Sequence, residues 1–473
     1  MTDIPPTPAP RRATRWIPVT LIALVTLVAA GRLLWGVNRY AVNILFWDQW
    51  DFWSPMFNNQ GYLDLFWYTH AHRQGLGFVL TGALAHLTGW NTRTECFMIA
   101  GVLIAALLAA LALRRAIFGR WEWTDIIWPV LFFSPLMLDA LVQVPNLSHG
   151  IMPLLLLMLF CLCWGIKRRW LAYGLMLIVN FNCTFTGFGL FLGLVTPTMF
   201  LVEIVAYARG RNYRAMYLAM GALLGSIVSM LIFLHGYVPS AAIPGFQFPD
   251  PHWKLYPEFV ALQLAYLDGV HGVGRLANIA GWSSVAIALG ALVIHGRRLL
   301  RPRPPGLEPP AGLFLSQVIV TLMGFGLIFT CFCAVGRMIM GVAGGQTARY
   351  LPLLMGMLLA VYFHVASLPR GMVRGALMLW MVVTLIGLHG WQRPEDRQNL
   401  EIYATGKQLW KQAYLATGSI EEAERASNFQ VYPRPVEHTL QWRLDELRRR
   451  HLNLFLDAPP SPAATAASAP ERP

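Results

Sequence analysis

The sequence predicts an all-α polytopic membrane protein with about eleven transmembrane helices and interfacial helices in its first outer loop. Three observations predict it. Of 473 residues, 56% are hydrophobic and only 13% charged, about half the charged share of a soluble domain. Apolar runs near 20 residues recur along the chain, the length a helix needs to cross a bilayer. Basic residues cluster in short segments between those runs, which is how membrane proteins mark their cytoplasmic loops. The net charge of +13 is therefore an orientation signal, and no nucleic-acid partner is expected.

Arg11, Arg12 and Arg15 precede the first span, 17–36, so the tail 1–16 is cytoplasmic. The run from Trp16 to Trp35 is long enough to remain as a signal-anchor. An outer loop, 40–94, follows. Its run 75–90 is short, glycine-rich and carries His86, which predicts a helix lying in the interface. The next span, 95–113, puts Arg114, Arg115 and Arg120 inside. Spans 125–142 and 150–166 lead to Lys167, Arg168 and Arg169. Spans 170–183 and 187–207 lead to Arg209, Arg211 and Arg214. Span 215–235, an outer loop 236–274 and span 276–295 lead to Arg297, Arg298, Arg301 and Arg303. Span 312–335, an outer loop 336–350 and span 350–368 lead to Arg370 and Arg374. Span 375–390 then leaves the tail outside. This threading puts 18 of the 26 basic residues of segment 1–390 in the cytoplasm.

The tail differs in character. Residues 391–473 carry 11 basic and 11 acidic side chains. Segments 397–427 and 437–456 read as amphipathic helices, broken at Tyr432-Pro433-Arg434-Pro435, and 458–473 is a Pro/Ala-rich, disordered end. The six cysteines lie in or beside apolar runs with no C-x-x-C spacing, so they read as packing residues.

The first outer loop carries Phe46-Trp47-Asp48-Gln49-Trp50-Asp51-Phe52-Trp53. A carboxylate partly desolvated by aromatic rings pulls harder on a proton, so Asp48 and Asp51 are candidate bases. The plainer reading is an aromatic belt with two solvated acids. His70-Ala71-His72-Arg73 follows. The histidines with Asp48 or Asp51 could hold a divalent metal, or Arg73 could grip a phosphate, or the stretch is a polar turn. Asp139 inside an apolar run is costly and needs a reason, and the polar segment with Asn146 and His149 follows it. Asn180, Asn182 and Thr184 suit hydrogen bonding between helices. Segment 336–350, G-R-M-I-M-G-V-A-G-G-Q-T-A-R-Y, lacks the G-K-[ST] of a nucleotide loop. Its Arg337 and Arg349 suit one phosphate, with the glycines letting the segment fold back and Tyr350 at the lipid boundary. Read as plain structure, it is a flexible loop with two solvated arginines.

A span, an acidic-aromatic loop, H-x-H-R, an interfacial helix ending in Gly89-Trp90-Asn91, and a span ending in Arg114-Arg115-Ala116-Ile117-Phe118-Gly119 follow one another. That order resembles the integral-membrane GT-C glycosyltransferases, which include protein O-mannosyltransferases and lipid A aminoarabinose transferases. Gly336 to Tyr350 looks like the matching stretch of bacterial relatives. The resemblance covers mainly 40–120 and 336–350. It implies a GT-C-like domain over 17–390 in a bacterial inner membrane. The donor it implies is a polyprenyl-phosphate-linked sugar, and the acceptor a glycan, lipid or protein at the periplasmic face. The family's catalytic acid maps to Asp48. Many members have D-E or D-D there, whereas this chain has Asp48-Gln49 with Asp51 three residues on, so both acids stay candidates. The family's phosphate-gripping arginine maps to Arg337 or Arg349, and Arg73 stays a phosphate candidate on its own residues alone. Two rivals remain: a lipid-linked-glycan flippase or transporter, which needs polar groups on both sides and at the midplane, and a noncatalytic envelope-assembly protein that docks through its tail.

Overall fold

The computed structural model describes residues 13–68, 73–237, 247–306, 312–369, 371–432 and 437–457. His70, His72, Arg11, Arg12, Arg370, the break at Pro433–Pro435 and the end 458–473 lie outside the described residues. Among the described residues the regular structure is helical, with no strand.

Eight helices are long and apolar enough to cross a membrane. They are Trp16–Tyr40, Thr92–Phe118, Gly187–Arg209, Tyr213–Leu234, Arg275–Leu299, Leu313–Met340, Ala348–Ser367, and Met372–Gly390, which runs on into the polar helix Pro394–Thr417. Shorter apolar helices cover Gly75–Thr88, Trp123–Phe132 and Ile151–Cys163. By helix length and hydropathy the chain is a multi-pass membrane protein. Leu27, Leu224, Leu231, Leu276 and Trp380 stay exposed on the bundle surface, an arrangement lipid tolerates and water does not.

Helix ends follow the local sequence. Asn91 caps Thr92–Phe118, its side-chain oxygen accepting from the amides of Arg93 (3.0 Å) and Thr94 (3.2 Å). Gly119 ends the same helix in the left-handed region.

Three elements depart from the sequence reading. The expected span 125–142 is two pieces, ending at Phe132 and resuming as Met137–Val142. Pro135 lies in the break; it offers no N–H and clashes with the preceding turn. The expected outer loop 236–274 contains a buried helix, Tyr256–Leu267. It packs so closely on Arg275–Leu299 that a Cβ at Gly281 would sit 1.8 Å from the Ala261 carbonyl oxygen. The expected tail helix 397–427 is interrupted by left-handed Gly418, and Ser419 then caps Ile420–Ser427.

One end of the bundle is tied by ion pairs. Arg114 meets Asp125 at 2.7 Å, and the Tyr362 hydroxyl donates to the same carboxylate at 2.7 Å. Arg374 meets Glu122 at 3.2 Å. Glu203 accepts from Arg303, Gln317 and Tyr173. Such buried pairs fix which helices meet more than they add stability.

The other end has its own core. Trp50, Trp53, Phe57 and Trp90 of the first loop pack with Trp410, Tyr414, Leu444 and Phe455 of the tail. The Trp47 amide donates to the Val431 carbonyl at 2.8 Å, and the Asn453 amide to Gly89 at 2.9 Å. Asn453 Nδ2 donates to the Trp90 carbonyl (2.7 Å) and to Thr92 Oγ1 (2.9 Å). The tail is therefore half of a joint unit with the first loop.

Candidate functional site

A cleft of about 200 Å³ opens where the first loop, segment 137–150, the glycine-rich turn and the tail helix meet. Asp48, Asp139, Asn146, His149 and Arg349 all line it, together with Trp47, Gln143, Thr347 and Tyr403. Five residues singled out from separate parts of the sequence thus share one cavity.

The first loop presents Asp48 through a strained turn. Trp47 has φ +54°, a conformation that is costly for a bulky residue and needs outside support. The Val431 carbonyl supplies that support by accepting from its amide. Asp48 then starts the short helix Gln49–Phe52. Gln49, fully buried, accepts from the Phe46 amide (3.1 Å) and donates to the Pro145 carbonyl (3.0 Å). The neutral amide beside Asp48 is thus a strut between the first loop and segment 137–150, and a carboxylate there would lose the donor.

Asp51 points elsewhere. It accepts from Tyr432 OH at 2.9 Å and pairs with Arg443 at 3.3 Å. Its backbone carbonyl accepts from Ser54 and Tyr68. Of the two candidate acids, Asp48 lines the cleft and Asp51 joins the loop to the tail.

Asp139 lies on Met137–Val142, outside the long apolar helices. With its amide turned to satisfy both neighbours, Gln143 donates to Asp139 Oδ1 (2.8 Å) and accepts from Tyr403 OH (3.3 Å). Burial pushes the Asp139 carboxyl up to about 6, against the opposing pull of Arg349 and Lys407. Lys407 enters from the tail helix and donates to the carbonyls of Val142 (2.9 Å) and Gln143 (2.7 Å).

Asn146 caps the turn Leu147–His149 by accepting from the Ser148 amide (2.8 Å), and its amide donates to Gln74 Oε1 (3.3 Å). His149 stands edge-on to Phe52 at 5.0 Å and tilted against Phe188 at 5.8 Å. Gly187 lets segment 186–189 close on this turn. Its φ is +54°, and a Cβ there would sit 1.8 Å from the Ser148 carbonyl oxygen.

The glycine-rich stretch is a chain of three short 3-10 turns, the last being Ala348–Tyr350. Gln346 anchors it to the Tyr256–Leu267 region, donating to the carbonyls of Leu262 and Gly272 (3.2 Å each) and accepting from the Gly272 amide (2.8 Å). Arg349 makes no ion pair among the described residues. Its guanidinium stands 5.6 Å over the Tyr350 ring, and its Nε is buried without a partner.

The remaining candidates lie apart from the cleft lining. Arg73 is buried and donates to the carbonyls of Trp67 (2.7 Å), Phe233 (3.1 Å) and His235 (2.6 Å) inside an aromatic box. Those carbonyls hold its guanidinium away from the cleft. Arg337 ends its helix, half-buried, and its charge reaches the surroundings of Tyr350 together with that of Arg349. Tyr350 is 1% exposed and packs on Phe329 at 5.6 Å, so its ring is in the core instead of at the lipid boundary. Among the described residues the buried side-chain polar atoms of Asn180 and Thr184 have no hydrogen-bond partner, and Asn182 donates to its own helix at Ile178. Among the described residues no group of three His, Cys, Asp or Glu could hold a metal.

Gln143, Tyr403 and Lys407 were not visible as site residues in the sequence. Tyr403 and Lys407 are four apart, on one helix face, inside a stretch that reads as an ordinary amphipathic helix.

The cleft therefore brings two carboxylates together with a guanidinium that makes no ion pair among the described residues. No protein-family model matches the chain, and no curated protein or solved structure is significantly similar to it.

Proposed function

We propose that the protein is a membrane glycosyltransferase that moves a sugar from a polyprenyl-phosphate carrier to a cell-envelope glycan, lipid or protein at the periplasmic face of a bacterial inner membrane. The observation that carries this reading is the single cleft shared by Asp48, Asp139, Asn146, His149 and Arg349. Asp48 takes the proton of the acceptor hydroxyl as it attacks the sugar. Arg349 holds the phosphate whose negative charge grows as the sugar leaves. Holding donor and acceptor in one cleft supplies much of the rate.

In this reading the chain crosses eleven times. The eight long helices are joined by Trp123–Phe132, by Ile151–Cys163 and by Arg169–Thr184, while Met137–Val142 lies beyond the span, at the cleft and against the tail. The N-terminus is cytoplasmic and the tail periplasmic. Ile151–Cys163 has 13 residues and reaches only about 20 Å, short of a full hydrocarbon core. Gly150, at its start, lines the cleft, so the cleft sits at one end of this short helix. A flippase would need polar groups at both faces, whereas these candidates gather at one end.

The test is a transfer assay with the full-length protein in bilayers, offered a labelled sugar on polyprenyl phosphate together with envelope acceptors. Label should move to an acceptor with wild type and stay on the lipid with Asp48→Asn. Label that stays on the lipid with wild type, across glycan, lipid and protein acceptors, would overturn the reading.

A further inference from the structure

We infer that Lys407, on the C-terminal helix, is a positioning residue of the cleft: its ammonium clamps the backbone at Val142 and Gln143 and holds Asp139 in place as a cleft-facing carboxylate. The inference deepens the transferase reading and rests on it for its consequence in catalysis.

Lys407 is 2% exposed, and a buried ammonium is costly unless its donors are used. No carboxylate comes within ion-pair distance of it among the described residues. Two of its three donors go to the Val142 and Gln143 carbonyls, and the ammonium stands 4.7 Å over the Phe46 ring. Those carbonyls belong to the end of the Met137–Val142 helix, where backbone acceptors lack partners within the helix and a cation is favoured. Asp139 lies one turn earlier, so fixing this end fixes the direction of its side chain.

A second tie comes from the same helix face. Tyr403, four residues before Lys407, donates to Gln143, which donates in turn to Asp139. The tail therefore braces Asp139 through the backbone and through a side-chain relay. An apolar residue filling the same space would leave the Val142 and Gln143 carbonyls without this donor. The charge matters here because it lies near a buried carboxyl.

The charged and titratable groups around the pair come from five elements. Asp139 sits on Met137–Val142, Arg349 on Ala348–Tyr350, Cys96 on Thr92–Phe118, Tyr266 on Tyr256–Leu267, and Asp396 on the same helix as Lys407. Burial lowers the Lys407 ammonium to about 8, which keeps it mostly protonated at neutral pH. Lys407 and Arg349 both pull Asp139 toward the ionised form, and Asp396 pushes the other way.

The experiment is an infrared titration of the full-length protein in lipid. The Asp139 carboxylic-acid band is identified by its loss in Asp139→Asn. Wild type should titrate near 6. Lys407→Met should move the midpoint up by roughly one pH unit or more, since a nearby opposite charge is lost. Lys407→Arg should stay close to wild type. If Lys407→Met does not fold, Lys407→Gln keeps a donor without the charge and should shift in the same direction. An unmoved midpoint in the neutral variant overturns the inference. Binding of polyprenyl phosphate, measured on the same wild-type sample, separates the two claims. A shifted midpoint without lipid binding removes the transferase reading alone, and lipid binding with an unmoved midpoint removes the Lys407 role alone.

Discussion

Arg443 and Asp51 meet at 3.3 Å across the seam between the tail and the first loop. Tyr432, from the same tail, donates to the same carboxylate oxygen. Asp48, three residues earlier, lines the cleft instead. Two acids that look equivalent in the sequence have different work, and substitutions should separate them.

Asp48→Asn keeps shape and hydrogen-bonding reach but cannot take a proton. Transfer per folded molecule should fall by roughly 10²–10⁴-fold, the usual share of general-base catalysis. Asp51→Asn should act on stability instead. It weakens a half-buried charged contact and should cost about 1–3 kcal/mol of stability, while transfer per folded molecule holds. Rates normalised to folded protein, with thermal unfolding, check both. Loss of transfer in Asp51→Asn alone would move the base to Asp51.

Gln49→Glu creates an adjacent acidic pair at positions 48 and 49. In this chain it removes the donor to the Pro145 carbonyl and buries a charge. Stability should fall by about 1–3 kcal/mol, and transfer should fall with it. Chemical unfolding of the two proteins side by side decides the point.

Asp139 gives a pH signature in stability. Its carboxyl is raised to about 6 from an ordinary value near 4, so the folded protein binds this proton more tightly than the unfolded chain does. The stability it contributes is full below about pH 4 and is lost as pH rises through about 6. Asp139→Asn should flatten that fall. Asp268, raised to about 6 by burial, adds a fall of the same sign, so the flattening should be partial and should grow when Asp268→Asn is added. Unfolding temperatures from pH 4 to pH 7.5 in the three proteins test this.

Gly187→Ala should damage the cleft without touching a charged group. A Cβ there would collide with the Ser148 carbonyl, and the left-handed backbone disfavours it as well. The cost should exceed about 2 kcal/mol, with weaker lipid-phosphate binding in the folded fraction. An alanine variant as stable as wild type would mean that the turns at 147–149 and 186–189 are less tightly joined.

The membrane class was plain in the sequence because composition and recurrent apolar runs alone decide it. Asp48, Asp139, Asn146, His149 and Arg349 were visible because polar residues are conspicuous beside apolar runs. What could not be read was their company. Asp51 looks like Asp48 until Arg443 and Tyr432 arrive from nearly 400 residues away. Arg73 looks like a free cation until the carbonyls of nearby Trp67 and of distant Phe233 and His235 are seen to hold it. Tyr256–Leu267 escaped because a 12-residue apolar helix is too short for a span. Lys407 escaped because a lysine on an amphipathic helix normally faces water.

The most direct measurement is a titration of polyprenyl phosphate against wild type, Arg349→Lys and Arg337→Lys in bilayers. Lysine keeps the charge but loses the two-pronged grip. Wild type should bind the lipid phosphate. Arg349→Lys should bind it more weakly by about 1–3 kcal/mol, the worth of a charged hydrogen bond. Arg337→Lys should change little, because Arg337 is not among the cleft-lining residues. Equal affinity in all three proteins, or no binding by wild type, would contradict a phosphate-carried donor in this cleft.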